Sequence, residues 1–252
     1  GFWQKFRKRV DAIKPEAWTI AEEWRDASNY LLGDMFNATM NYRLTWTVRG
    51  FFAMDYLSTS EFDDRLQALL RDTPPPAVHS QMNLLDSHDT DRLLTACGRN
   101  RARYLQAFAF LFAYPGAPTI FYGSETGIEG SFSEDSRRPM PWDSLDEELL
   151  TFFKHIIQVR KNDVTLRRGQ VETILIDDEN RVFGLRRYDA ARSIVALFNA
   201  SDTPVQVEVE LPENEADGTW TDLLDIHVDV PAQAGKLSLT LAARGAAWYA
   251  KK

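Results

Sequence analysis

The chain has 252 residues, 44% of them hydrophobic and 12% aromatic, with 37 acidic against 29 basic side chains and a net charge of −8. That is enough apolar material for one large domain or one and a half ordinary ones, and the acidic balance excludes partners that are recognised through clustered Lys and Arg, so neither nucleic acid nor a membrane is expected. A single cysteine, Cys97, excludes an internal disulfide and a cysteine-rich metal site, and with no apolar run of membrane-spanning length it points to a reducing, cytoplasmic setting.

Residues 2–14 place Phe2, Phe6, Val10 and Ile13 at helical spacing ahead of Pro15, with the basic cluster KFRKRV (5–10) as a solvated face. This pattern is already under way at Gly1, with no initiator Met, so the true N-terminus is expected to lie elsewhere. AWTIAEEW (17–24) reads as a buried strand ending in charge, and MFNATMNY (35–42) as a second one. One long helix is expected over 43–72, stopped by the prolines at 74–76. HSQMNLLDS (79–87) is a third strand, RARYLQAFAFLFA (101–113) an apolar core helix, and APTIFYGSE (117–125) a fourth strand. A helix over 145–161 is expected to open on a capping box of Ser144 and Glu147.

From about residue 165 the period changes to two, in VETILI, RVFGLRRY, SIVALFN, VQVEVEL and KLSLTL, separated by turn residues. Two domains are therefore expected, 1–163 with alternating strands and helices and 164–252 with an antiparallel β fold. Strand–helix alternation implies a parallel sheet, whose chemistry sits where strands end and loops begin. Three of the four strand ends carry ionisable groups: Glu22-Glu23-Trp24, His88-Asp89 and Glu125.

Taken alone, these groups allow several readings. Glu22 and Glu23 are equally the solvated exit of a strand. Asp89 and Thr90 fit a helix cap, and His88 with Asp86 fits half of a metal site, although His79, His155 and His227 show no ligand spacing to complete one. A Ser87-His88-Asp89 triad is excluded, because neighbours on an extended chain point to opposite faces.

In order along the chain, IAEEWRDASNYLLGDMFNATMNY, NLLDSHDTDR and GAPTIFYGSETG…SRRPMPW resemble the second half of an α-amylase superfamily barrel, in the group of cyclomaltodextrinase, neopullulanase and maltogenic amylase. The resemblance implies the C-terminal half of a (β/α)8 barrel, strands five to eight, followed by an antiparallel β-sandwich. It also implies retaining hydrolysis of α-glucan oligosaccharides. In the motif Gly-Glu-x-Trp, Ala21 replaces the glycine and Trp24 sets the register, so Glu22 and not Glu23 takes the acid/base role. Asp89 is implied as the transition-state stabiliser and His88 as a donor to sugar hydroxyls, with Trp24 offering a stacking face. Arg137 matches the arginine of an Asp-Pro-x-x-Arg sugar contact, though Ser133 and Glu134 replace the Asp-Pro. The plainer reading ties Arg137 to a neighbouring acid such as Asp135. Tyr122 and Glu125 are expected to be scaffold.

The family's nucleophile, in an Arg-x-Asp motif ahead of the first helix here, has no counterpart in the 252 residues, so the chain is expected to be inactive alone. No metal site and no cofactor is expected, and nothing here indicates calcium. A transglycosylase shares these residues, whereas a non-catalytic sugar-binding or assembly protein would typically lose the carboxylates. Four strands without the rest of a barrel leave edges and apolar residues such as Ile20, Met40, Leu84 and Leu85 uncovered. A second chain, either the N-terminal half or another copy, is therefore expected to complete the sheet.

Overall fold

The computed structural model describes residues 1–251, and in its first part strands and helices alternate. In order these are α1 (Phe2–Ile13), β1 (Ile20–Ala21), β2 (Ala38–Thr39), α2 (Tyr42–Val48), α3 (Thr59–Asp72), α4 (Pro75–Val78), β3 (Met82–Asn83), α5 (Leu93–Ala96), α6 (Arg101–Ala113), β4 (Ala117–Pro118), α7 (Glu147–Asn162) and α8 (Val164–Arg168). β1 pairs with β2 and β3 with β4, both in parallel, and a parallel Met40–Met82 bridge joins the two pairs. The four apolar runs are thus neighbours in chain order, but each keeps a regular ladder for only two residues. Buried side chains hold them together elsewhere. Asn41 Nδ2 donates to Asn83 Oδ1 at 2.9 Å, and Asn83 Nδ2 donates to the Pro115 carbonyl at 2.8 Å. Gly116 is required beside this link, since its φ is +122° and a Cβ there would lie 2.3 Å from Asn83 Nδ2.

The expected helix over 43–72 is two helices. α2 is capped by Asn41, whose Oδ1 accepts from Leu44 N, and runs into a π-helical turn at Arg49–Ala53. The chain then reverses at Asp55, which has a left-handed φ of 56°, and restarts at Ser58. Ser58 Oγ accepts from Glu61 N while the Glu61 carboxylate accepts from Ser58 N, a complete capping box whose S-x-x-E signature is masked in the sequence by continuous apolar spacing. The prolines do not simply stop the chain, because Pro75 opens α4. α7 begins two residues later than expected, since Asp146 rather than Ser144 caps it, accepting from Leu149 N at 3.0 Å. A hydrogen bond from Arg101 and that amide hold the Asp146 carboxyl below the usual carboxylate range.

The remaining chain forms β5 (Gln170–Asp177), β6 (Val182–Tyr188), β7 (Ser193–Asn199), β8 (Val205–Glu210), β9 (Gly218–Asp222), β10 (Val230–Ala232), β11 (Lys236–Leu241) and β12 (Ala246–Lys251). Six of them make one antiparallel sheet in the order β10-β9-β12-β7-β6-β5, while β8 and β11 pair separately. Period two explains how this sheet is buried on both faces. Phe183, Leu185, Ile194, Phe198 and Trp248 point into a core shared with Phe51, Phe62, Phe110 and Phe153 of the helical part. Their neighbours Val182, Val195, Leu197 and Tyr249 point into a second core with Val207, Val209, Leu237 and Leu241 of β8 and β11. The aromatic residues of α6 lie in the first core, as their spacing predicts.

Two buried guanidiniums brace the end of α6 without any carboxylate, Arg160 from α7 within the helical part and Arg187 from the β part. Arg160 donates to the carbonyls of Phe112, Tyr114 and Gly116, and Arg187 of β6 donates to Ala113 and Gly169. Both satisfy the free carbonyls at or just beyond the C-terminal end of α6, where a cation is also favoured by the helix dipole. Burial pushes Arg160 down to about 10 and Arg187 to about 9. Among the described residues, no helix is long and apolar enough to cross a membrane.

Candidate functional site

Because the four strands run parallel, the segments that follow them emerge on one side, and the predicted residues meet there. Glu22 directly follows β1 and is exposed. His88 and Asp89 lie on the loop after β3, with His88 Nε2 3.2 Å from Asp89 Oδ2. One donor atom from each of Glu22, His88 and Asp89 lies within 4.8 Å of the other two. Glu23 is turned away, its carboxylate accepting from Arg25 N at 3.0 Å. Arg137 reaches in from the 131–142 loop, donating from Nη2 to Asp89 Oδ1 at 3.2 Å and from Nε to the His88 carbonyl at 3.1 Å. Asp135, its alternative partner, binds Arg138 instead.

The loop from 86 to 93 is shaped from below. Asp86 is fully buried; its carboxylate accepts from Leu93 N at 2.9 Å and from Ser124 Oγ at 3.0 Å. The first amide of α5 is therefore capped by Asp86, not by Asp89 or Thr90 as one reading allowed. Burial raises the Asp86 carboxyl above its usual range, while the two donors and nearby Arg92 and Arg49 oppose this. Ser87 N donates to Thr90 Oγ1 at 3.0 Å and Asp89 N to Ser87 Oγ at 3.1 Å, which fixes the turn that presents His88 and Asp89. Arg92, also buried, lies 4.0 Å over the Phe121 ring and ties the loop to the neighbouring ones through the carbonyls of Ser136 and Tyr122.

Trp24 is only partly available as a stacking face. Its ring lies on Tyr42, with centroids 3.9 Å apart and planes 7° apart. The carboxylates of Glu22 and Asp89, the Asp89-bound guanidinium and the imidazole of His88 together offer a proton donor or acceptor, a negative charge and hydroxyl ligands within one exposed cluster. Glu22, His88 and Asp89 are also, among the described residues, the group whose donor atoms are close enough to share a cation.

A family model described as the catalytic domain of alpha amylase matches residues 1–147. The chain belongs to the α-amylase family. Neopullulanase 2 of Thermoactinomyces vulgaris is 35% identical over 242 residues, covering 95% of this chain and 41% of that protein. The cyclomaltodextrinase of Geobacillus thermopakistaniensis (strain MAS1) is 35% identical over 251 residues, covering 99% of this chain and 42% of its own length. A solved cyclomaltodextrinase structure matches with a TM-score of 0.91 at 28% identity, over 98% of this chain and 43% of its own. The chain thus spans about two-fifths of the length of these relatives.

In this member of the α-amylase family, sequence reasoning brought together Glu22, His88, Asp89 and Arg137 but missed the residues that shape their surroundings. Tyr42, Trp46 and Arg49 pack against the two loops, and Ser87 and Arg92 brace the second from within. The first three carried a readable signal, because their spacing of four and three places them on one helical face.

Proposed function

We propose that the protein to which these residues belong is a retaining α-glucan hydrolase acting on α-1,4 and, in some substrates, α-1,6 linkages of cyclomaltodextrins, pullulan or malto-oligosaccharides. The observation that carries this reading is the convergence of Glu22, His88 and Asp89 within 4.8 Å at the ends of parallel strands in a chain of this family. Glu22, exposed at a strand end, protonates the glycosidic oxygen as the bond to the anomeric carbon breaks. It then takes the proton from water in the second step. Asp89 accepts from sugar hydroxyls as positive charge develops at that carbon. His88 and Arg137 bind substrate hydroxyls on either side of Asp89, and the free part of the Trp24 ring borders the sugar.

The carboxylate that traps the anomeric centre belongs, by family resemblance, to a segment ahead of α1. On this reading, residues 1–163 are the second half of a (β/α)8 barrel and 164–252 a β-sandwich. The setting is cytoplasmic, which a lone buried thiol fits. The chemistry requires neither metal nor cofactor. In a protein extended to the full length of the relatives, Asp89→Asn is expected to lower kcat on a cyclomaltodextrin by about 10²-fold or more with a much smaller rise in KM. The 252 residues alone should show no turnover. A KM effect without loss of kcat, or activity abolished by a chelator, counts against the assignment.

The same reading assigns a partner. Leu84 and Leu85, expected to be uncovered, are buried, and Ile20 and Met40 are half-buried. The exposed apolar surface lies instead on α1, which has no buried residue and whose Phe2 and Ile13 are 72% and 71% exposed. Apolar exposure of this kind on a barrel half fits coverage by the N-terminal half of the parent or by a second copy. Size-exclusion chromatography with light scattering at low concentration is expected to show the isolated chain paired or aggregated. A monomer with a cooperative melt would show that the chain is self-sufficient.

A further inference from the structure

Among the described residues no backbone hydrogen bond joins the two candidate catalytic loops; one helix grips both. α2 starts directly after β2, and its residues Tyr42, Trp46 and, in the π turn, Arg49 present side chains along one face. Tyr42 is completely buried. Its ring is stacked on Trp24, two residues from Glu22, and its hydroxyl lies 3.0 Å from Ser87 Oγ. That same Oγ accepts from Asp89 N at 3.1 Å. Trp46 adds a second ring beside Trp24, with centroids 6.2 Å apart, and the Arg49 guanidinium lies 5.2 Å over Trp46. Arg49 is wholly buried; it pairs with Asp91 Oδ1 at 2.9 Å and donates to the carbonyls of Leu85 and Asp91.

We propose that α2 is a positioning strut that sets the distance between Glu22 and Asp89, with Tyr42 and Ser87 as one limb and Trp46, Arg49 and Asp91 as the other. This rests on the reading of Glu22 as acid/base and Asp89 as stabiliser. None of the strut residues needs to touch substrate. Each limb joins a rigid helical face to a loop two residues away from a reacting carboxylate, so a slack limb displaces that carboxylate. A misplacement of about 1 Å costs on the order of 10²-fold in rate. Burial raises the Tyr42 phenol above its usual range, with the charges of Glu22 and Asp89 adding to this against the Ser87 hydrogen bond. The hydroxyl therefore stays neutral and holds its place in the chain of contacts.

A double-mutant cycle in the full-length protein tests the strut. Tyr42→Phe keeps the ring on Trp24 and removes only the hydroxyl, while Ser87→Ala removes the other end of the same bond together with the acceptor of Asp89 N. Each is expected to lower kcat on a cyclomaltodextrin by about 10-fold or more with KM nearly unchanged, and the double variant to lose no more than Ser87→Ala alone. A merely structural role would instead lower the melting temperature in step with kcat. Wild-type kcat in either variant, or losses that multiply, overturns the proposal.

If either variant does not fold, Arg49→Lys tests the second limb. It keeps the charge beside Asp91 but loses the fork to the two carbonyls, and the same fall in kcat at steady KM is expected; unchanged kcat overturns the strut. Controls with Glu22→Gln and Asp89→Asn separate the two levels. If both controls abolish turnover while the strut variants behave as wild type, only the strut falls. If the controls keep full turnover, the reading of the site falls and the strut with it.

Discussion

Glu22→Gln in the full-length protein is expected to reduce turnover by about 10²–10⁴-fold, the range supplied by a general acid, while Glu23→Gln stays near wild type. The two residues are adjacent and chemically equivalent, so the difference comes from direction alone. The Glu22 carboxylate faces His88 and Asp89 within 4.8 Å. The Glu23 carboxylate folds back onto the Arg25 amide at 3.0 Å and takes no part in that group. Steady-state kinetics on a cyclomaltodextrin, with circular dichroism to confirm folding, decides the matter. Equal losses, or a larger one for Glu23→Gln, would place the register one residue out.

The largest expected loss of stability lies away from this cluster, at Asp55. Its carboxylate pairs with Arg103 of α6, with Arg181 Nη2 at 3.2 Å and with both terminal nitrogens of Arg244 at 2.9 and 3.0 Å. Arg103 belongs to the helical part, whereas Arg181 and Arg244 come from the β part. One aspartate therefore bridges three guanidiniums across the junction between them. Asp202 gives Arg244 a second partner, leaving Arg103 and Arg181 to depend most on Asp55.

Removing one partner of a fully buried pair costs about 3–5 kcal/mol. The Asp55 side chain is 26% exposed, which discounts this to about 2–3 kcal/mol. Asp55→Asn is the cleaner variant, because asparagine tolerates the left-handed backbone at this position and only the charge is lost. A fall in melting temperature of about 5–10 °C is expected at matched protein concentration, and more for Asp55→Ala, which adds backbone strain. A melt within about 1 °C of the parent would show that the three arginines are independently satisfied.

The candidate site residues were legible because they stand at the ends of short apolar runs, where parallel strands display polar groups. Glu22, His88 and Asp89 could be named from that position together with the family motifs. Arg137 could be named from its motif but not its contact, since nothing local distinguishes a bond to Asp89 from one to Asp135. Helix limits failed where a polar cap was hidden by apolar spacing, as at Ser58, and where two cap residues competed, as Ser144 and Asp146 do. β9, β10 and β12 were not read as strands. GTWTD and AAWYAK owe their extended form to pairing with distant partners, and residues of little intrinsic β preference such as Gly218 and Ala246 hide that. Arg187 was equally opaque. It sits in a strand whose alternation reads as one wet and one dry face, yet both faces are covered, and its partners are carbonyls that no side-chain pattern encodes.

The position of β12 bears on how the chain is made. It lies in the middle of the six-stranded sheet, with β7 on one side and β9 on the other, although it follows both in the sequence. On the ribosome, β7 emerges long before β12, on the order of seconds earlier at usual elongation rates. Until then the inner edge of β7 has no neighbour, and the core around Phe110 and Phe198 lacks Trp248. Nascent chains of this fold therefore pass through a stage with an open, apolar strand edge. That edge is a surface for chaperone capture or for pairing between neighbouring chains on one polysome, and it closes only when the central strand arrives.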